Sequence, residues 1–167
     1  ILPYLTVQNA VGGVVMSFLD IDKQKQAAAG LRRLAAVVED SHDAVTLQDQ
    51  TGNILAWNRG AERLFGFSRT EAIGMNMNAL VPAGERDRRR RFLTDIQTGK
   101  DVATLETKRK TKDGRVVDVW LTATRLVDDD GGPAGFATTE RDITDRKKAE
   151  AELAHLASIS ELNPNPI

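Results

Sequence analysis

The chain contains no cysteine. A disulfide framework, a thiolate zinc site, a cysteine nucleophile and any photochemistry that needs a protein thiol are excluded with it. Aromatic residues make up only 5% and histidines number two. Neither charge dominates: 23 basic side chains stand against 24 acidic ones, for a net charge of −1, so no global field draws the chain to nucleic acid or anionic lipid. The longest apolar run, Val11–Leu19, is broken by two glycines and a serine and falls far short of the ~20 residues of a membrane-spanning helix. The opening Ile1-Leu2-Pro3-Tyr4 has no initiator Met and no leader pattern, so no secretory signal is expected. The 167 residues read as a reducing-compartment, cytoplasmic segment of something longer. With 41% apolar and 28% charged residues, they suit one domain plus appendages.

The chain resembles itself at an offset of 122. Asp20-Ile21 falls on Asp142-Ile143 and Lys25 on Lys147. Ala27, Ala29, Leu31, Leu34 and Ala35 fall on Ala149, Ala151, Leu153, Leu156 and Ala157, with Gly13 on Gly135 and Glu39 on Glu161. This register suits a tandem array of units joined by helices. The segment would then hold the tail of one unit (1–22), a linker helix (23–40), a complete unit (41–143), a second helix (144–160) and the start of a third unit (161–167).

A coarse reading gives strands over Ile1–Gln8 and Val14–Ile21 around a turn at Asn9–Gly13. Lys23–Glu39 is a helix with Ala27, Leu31, Leu34 and Val38 at coiled-coil spacing. Ala44–Asp49 and Ile54–Asn58 flank the hairpin turn Gln50-Thr51-Gly52-Asn53. Asn58 caps a short helix, Gly60–Phe65, and Ser68 with Glu71 forms a capping box. Pro82 opens a longer helix over Gly84–Thr98, with Phe92, Leu93 and Ile96 on one face. Strands Val102–Thr111, Val116–Val127 and Ala134–Asp142 follow, and from Thr144 the chain is helical again. Helices between two groups of antiparallel strands make this α+β, a five-stranded antiparallel sheet with helices on one face.

In the stretch 41–144 the sequence resembles the PAS domains of bacterial signalling proteins. The resemblance is carried by Asp43-Ala44-Val45, Asp49 with Gly52, the run Ala56 to Ser68 (AWNRGAERLFGFS), Glu71–Gly74, the turn Lys112-Asp113-Gly114, and Glu140-Arg141-Asp142-Ile143-Thr144. Asp142-Ile143-Thr144 is similar to the family's motif joining the last strand to a signalling helix; the first copy has Asp22 in place of the Thr. Residues 1–22 resemble the last two strands of a preceding PAS domain, and 158–167 the start of a following one. The resemblance implies a curved sheet closing over a pocket that, in this family, holds haem, flavin or a small metabolite, or is filled by side chains.

Haem is disfavoured, because where the haem-binding members carry a His this chain has Arg89, and His42 and His155 lie outside the helix concerned. Cysteine-linked flavin is excluded; a non-covalent flavin or a small metabolite stays open, and no cofactor is predicted. Alternation turns Val117, Val119, Leu121 and Ala123 toward the helices and Trp120 outward. On the first strand, alternation alone buries Val45 and Leu47, whereas the family register points Thr46 and Gln48 inward. The expected pocket is Thr46, Gln48, Phe65, Leu80, Phe92, Ile96, Val119, Leu121, Phe136 and Thr138.

The basic stretch Arg86-Asp87-Arg88-Arg89-Arg90-Arg91 and the cluster Lys108-Arg109-Lys110 read as solvated surface, diluted by acidic neighbours and lacking interleaved aromatics, so no nucleic-acid partner is expected. Asp128–Asp130 before Gly-Gly reads as an exposed hairpin turn, and no metal site is expected. No Ser/His/Asp set or phosphate-cradling glycine loop is present, so catalysis is not expected of this segment. The expected role is a sensory or relay module biasing linker helices toward a downstream output domain such as a histidine kinase. Transfer would pass through Asp142, Ile143 and Thr144, and a homodimer would form through Leu31, Leu34, Leu153 and Leu156. The alternative is a ligand-free dimerisation spacer with a filled core.

Overall fold

The structure, a computed structural model, describes residues 2–5, 11–15, 22–98 and 102–162. The chain divides into two compact units, residues 1–36 and 37–167. The first contains β1 (Leu2–Leu5) antiparallel to β2 (Val11–Val15), and most of α1 (Asp22–Glu39). The expected turn at Asn9–Gly13 is corrected here. Strand β2 already begins at Val11, and Gly13 sits opposite Tyr4, next to a register irregularity between Tyr4 and Leu5. Glycines inside a strand accompany bulges as readily as turns. Residues 6–10 and 16–21, where the rest of the expected hairpin falls, lie outside the described residues.

The second unit runs β3 (Ala44–Gln48), β4 (Ile54–Trp57), α2 (Arg59–Phe65), α3 (Arg69–Ala72), 3-10 turns at Met77–Leu80 and Ala83–Glu85, α4 (Arg86–Gln97), β5 (Val102–Lys110), β6 (Val116–Val127), β7 (Pro133–Asp142) and α5 (Thr144–Leu162). The expected long helix from Gly84 is two pieces, because Pro82 leads into a 3-10 turn before α4 starts at Arg86. The five strands pair antiparallel in the order β4-β3-β7-β6-β5. The last strand among the described residues, β7, is therefore the central one.

Local chemistry fixes the corners. The Asp49 carboxylate accepts from the backbone N–H groups of Thr51 and Asn53, both at 2.9 Å, and Gly52 takes a positive φ of 89° that a side chain would strain. Asn58 caps α2 by accepting from Ala61 N at 2.8 Å, accepts from Val45 N at 2.9 Å, and donates to Val38 O at 2.8 Å. One buried amide thus ties the end of α1, strand β3 and helix α2 together. The Ser68 N–H donates to the Glu71 carboxylate at 3.0 Å at the start of α3.

Two apolar clusters fill the space under the sheet. The first contains Ile54, Trp57, Ala61, Phe65, Met77 and Leu80; the second joins Ile96 to Ala123 and Phe136, with Phe92 and Leu93 against them. Trp57 and Phe65 pack at a ring distance of 5.2 Å, and the indole N–H donates to Phe67 O at 3.0 Å. Each such ring, fully buried, contributes on the order of 1.5–3 kcal/mol.

The offset of 122 holds in the backbone. The β1–β2 pairs Leu2–Val15, Pro3–Val14, Tyr4–Gly13 and Leu5–Val11 shift onto Thr124–Ala137, Arg125–Phe136, Leu126–Gly135 and Val127–Pro133. All four are pairs of β6 with β7, and the register irregularity recurs at the matching place, between Leu126 and Val127. Helices α1 and α5 begin at Asp22 and Thr144, the same offset apart.

Candidate functional site

The inner face of β3 is Ala44, Thr46 and Gln48, all buried, while Leu47 is 36% exposed. The family register, not the apolar alternation, describes this strand. A polar inward face is tolerated because each group is paired. Thr46 lies opposite Thr138 of β7, and the two hydroxyls bond at 2.7 Å. Gln48 Oε1 accepts from Arg89 Nη2 at 3.0 Å.

Of the expected pocket residues, Thr46, Gln48, Val119, Leu121, Phe136 and Thr138 are buried on the sheet's inner face. Phe65 and Leu80 belong to the first apolar cluster; Ile96 is buried in the second, with Phe92 half-buried against it. These residues share the layer between sheet and helices, but they divide into two apolar groups around a polar row.

That polar row contains three residues the sequence reading assigned to the surface or left out. Arg109 and Glu140 are buried and paired, Nε to Oε2 at 2.8 Å and Nη2 to Oε1 at 3.3 Å. Arg89 turns inward while Arg88, Arg90 and Arg91 stay exposed, so the surface reading is corrected at Arg89 and at Arg109. The spacing was there to be read. Arg89 stands three and seven positions before Phe92 and Ile96, on their helix face, and Arg109 alternates in step with buried Thr107. Burial, and next the Arg109 charge, pull the Arg89 guanidinium down to about 10, with Glu140 acting the other way. Arg89 remains a cation at neutral pH.

The far end of β7 forms a joint. Ile143 N donates to Asp118 O at 2.9 Å, Asp118 N donates to Thr144 Oγ1 at 3.0 Å, and Thr144 N donates to Asp142 Oδ1 at 2.8 Å. The three expected transfer residues thus lock the start of α5 onto β6. Glu106 of β5 adds a clamp, meeting Lys147 Nζ at 2.8 Å and Arg146 Nη2 at 2.7 Å. Lys147 foremost, then Arg146, hold the Glu106 carboxyl below its usual range, and Glu106 in turn raises Lys147.

Trp120 is 43% exposed on the outer face, as alternation predicts, with the Arg146 guanidinium 6.0 Å from its ring centre. Leu31, Leu34, Leu153 and Leu156 are 56–68% exposed in the single chain. His42 and His155 are exposed.

A family model described as the PAS fold matches residues 32–143. The chain is 33% identical over 149 residues to the sensor protein FixL of Bradyrhizobium diazoefficiens, an alignment covering 84% of this chain and 29% of that protein. It is 27% identical over 154 residues to the cell-division control histidine kinase PdhS of Brucella ovis, covering 86% of this chain and 14% of that protein. The chain therefore spans only a minor part of the length of these curated relatives. Among solved structures, a PAS domain from Colwellia psychrerythraea aligns with TM-score 0.66 and 26% identity, over 69% of this chain and 98% of that one.

Proposed function

The chain belongs to the PAS family and is homologous to domains of sensor histidine kinases, and from that premise we propose that it is a relay module in which events on the inner face of the sheet bias the linker helix leading to an output domain. The observation that carries the proposal is the position of β7. This strand is central, presents Thr138 and Glu140 to the interior, and runs without a loop into α5 through the Asp118–Thr144 joint. A stimulus acts through such an element only by favouring one helix arrangement over another, and couplings of this kind run ~1–3 kcal/mol.

The matched hairpins and helix starts support reading residues 1–22 as the end of a preceding unit and 23–40 as its linker. The exposed leucines of both helices support a parallel homodimer, since isolated helices of this length are marginal in water and need a partner. We assign no catalytic step to this segment. We assign it no haem or cysteine-linked flavin either; the missing cysteine and the exposure of both histidines support that reading. A cytoplasmic location goes with it. Among the described residues no helix is long and apolar enough to cross a membrane.

Light scattering tests the dimer. Replacing Leu153 and Leu156 with Asp should lower the mass toward the monomer; an unchanged mass refutes the seam. The rival reading is a ligand-free spacer, favoured by the pairing of Thr46 with Thr138, Gln48 with Arg89 and Arg109 with Glu140. An absorbance scan of the purified protein, with mass spectrometry of released small molecules, separates the two.

A further inference from the structure

Arg89 places a half-buried cation beside the buried Arg109–Glu140 pair. Arg109 takes the Glu140 carboxylate, leaving Arg89 with two neutral amide acceptors, Gln48 Oε1 at 3.0 Å and Asn78 Oδ1 at 2.8 Å. Arg89 enters no ion pair among the described residues. Its nearest acidic neighbours along the chain are engaged elsewhere, Glu85 with Arg88 at 3.6 Å and Asp87 with Arg90 at 3.4 Å. A half-buried guanidinium beside a second one is an unfavourable arrangement unless something compensates it.

Arg89 also faces a groove of about 450 Å³ between the Met77–Leu80 turn and α4. The groove is lined by Asn78, Arg86, Arg90, Leu93 and Gln97 beside Arg89, and among the described residues no acidic side chain lines it. Its size falls in the small-molecule range. A guanidinium fork flanked by further guanidiniums and amide donors matches the oxygens of a carboxylate or a phosphate.

We propose that this groove binds a small oxyanion, a molecule bearing a carboxylate or phosphate group, with Arg89 as the residue connecting it to the sheet. The proposal rests on the relay reading and names the ligand class for it. When the anion arrives, Arg89 exchanges an amide acceptor for it. Gln48, which pairs across β3–β7 with Phe136, then loses or reorients its bond, so the central strand registers occupancy.

The test titrates the purified chain with inorganic phosphate, succinate and citrate into the millimolar range, following the thermal midpoint and the backbone amide shift of Gln48 by NMR. We expect a saturable rise in midpoint with at least one probe, not reproduced by sodium chloride at equal ionic strength. Arg89→Gln should weaken it about tenfold or more, the loss expected for one charge-assisted contact. Arg86→Gln, at an exposed position, should weaken it less, and Arg32→Gln on α1 should leave it unchanged. Response to phosphate alone assigns a phosphate ligand, and response to succinate or citrate a carboxylate. The absence of a saturable response to all three probes, or one indifferent to both Arg89→Gln and Arg86→Gln, overturns the site. That failure with an intact dimer mass leaves the relay reading standing; loss of the dimer seam with anion binding intact does the reverse.

Discussion

Arg109 of β5 and Glu140 of β7 reach across β6 to form an ion pair, Nε to Oε2 at 2.8 Å, with side chains 3% and 0% exposed. Such a pair is costly to break from one side, because the remaining charge is stranded where water does not reach it. We expect Glu140→Gln or Arg109→Met to lower the unfolding free energy by about 3–5 kcal/mol, and the double variant Arg109→Met/Glu140→Leu to recover most of the loss. Urea denaturation at neutral pH checks this. Additive losses in the double variant would contradict a paired origin.

Glycine positions separate into those that need the missing side chain and those that do not. A Cβ at Gly60 would lie 2.1 Å from Asp43 O, and one at Gly135 would lie 2.0 Å from Gln48 O, both backbone atoms held in place. Gly60→Ala and Gly135→Ala should each cost at least the ~1–3 kcal/mol of overpacking. Gly30 in α1 has nothing within 4 Å, so Gly30→Ala should stabilise that helix by ~0.5–1 kcal/mol. Thermal midpoints of the three variants decide the order.

Acid should destabilise the protein below the ordinary carboxylate range. The Thr51 hydroxyl foremost lowers Asp49 from 3.8 to about 2, Lys112 lowers Glu71 from 4.5 to about 2, and the Thr111 hydroxyl lowers Asp113 from 3.8 to about 2. A carboxyl depressed in the folded state contributes fully above its unfolded value and loses that contribution as pH falls through the folded one. The urea midpoint should therefore hold steady down to about pH 4.5 and fall between there and about 2. Asp49→Asn should start lower at neutral pH and show a shallower acid slope. An equal slope in wild type and variant would remove Asp49 from the cause.

The elements were legible in the sequence where local chemistry specifies them. Asp49 with Gly52, the Asn58 cap on Ala61 N and Ser68 with Glu71 are punctuation whose hydrogen bonds lie within a few residues, and Trp120 points outward because β6 alternates cleanly. Strand β3 was ambiguous, since Val45 and Leu47 are the apolar set yet face away; only pairing with Thr138 and Arg89, distant in sequence, makes the polar face the inner one. Arg89 and Arg109 read as surface for a different reason. Residue type suggested solvent, while the helical spacing to Phe92 and Ile96 and the strand alternation with Thr107 pointed inward. Gly12-Gly13 was misplaced because the residues that make turns also mark bulges, and its counterpart Gly135 lies within β7.

The joint between β7 and α5 is read most directly by hydrogen exchange at the Lys147 amide, which donates to Ile143 O at 2.9 Å in the first turn of α5. Thr138→Val breaks the inner-face bond to Thr46 without touching the helix. We expect it to speed Lys147 exchange on the order of tenfold, a change of ~1.4 kcal/mol, and to have no further effect once Thr144→Ala has removed the acceptor of Asp118 N. Unchanged exchange at Lys147 in Thr138→Val, with β7 itself exchanging faster, would mean that the strand does not drive the helix.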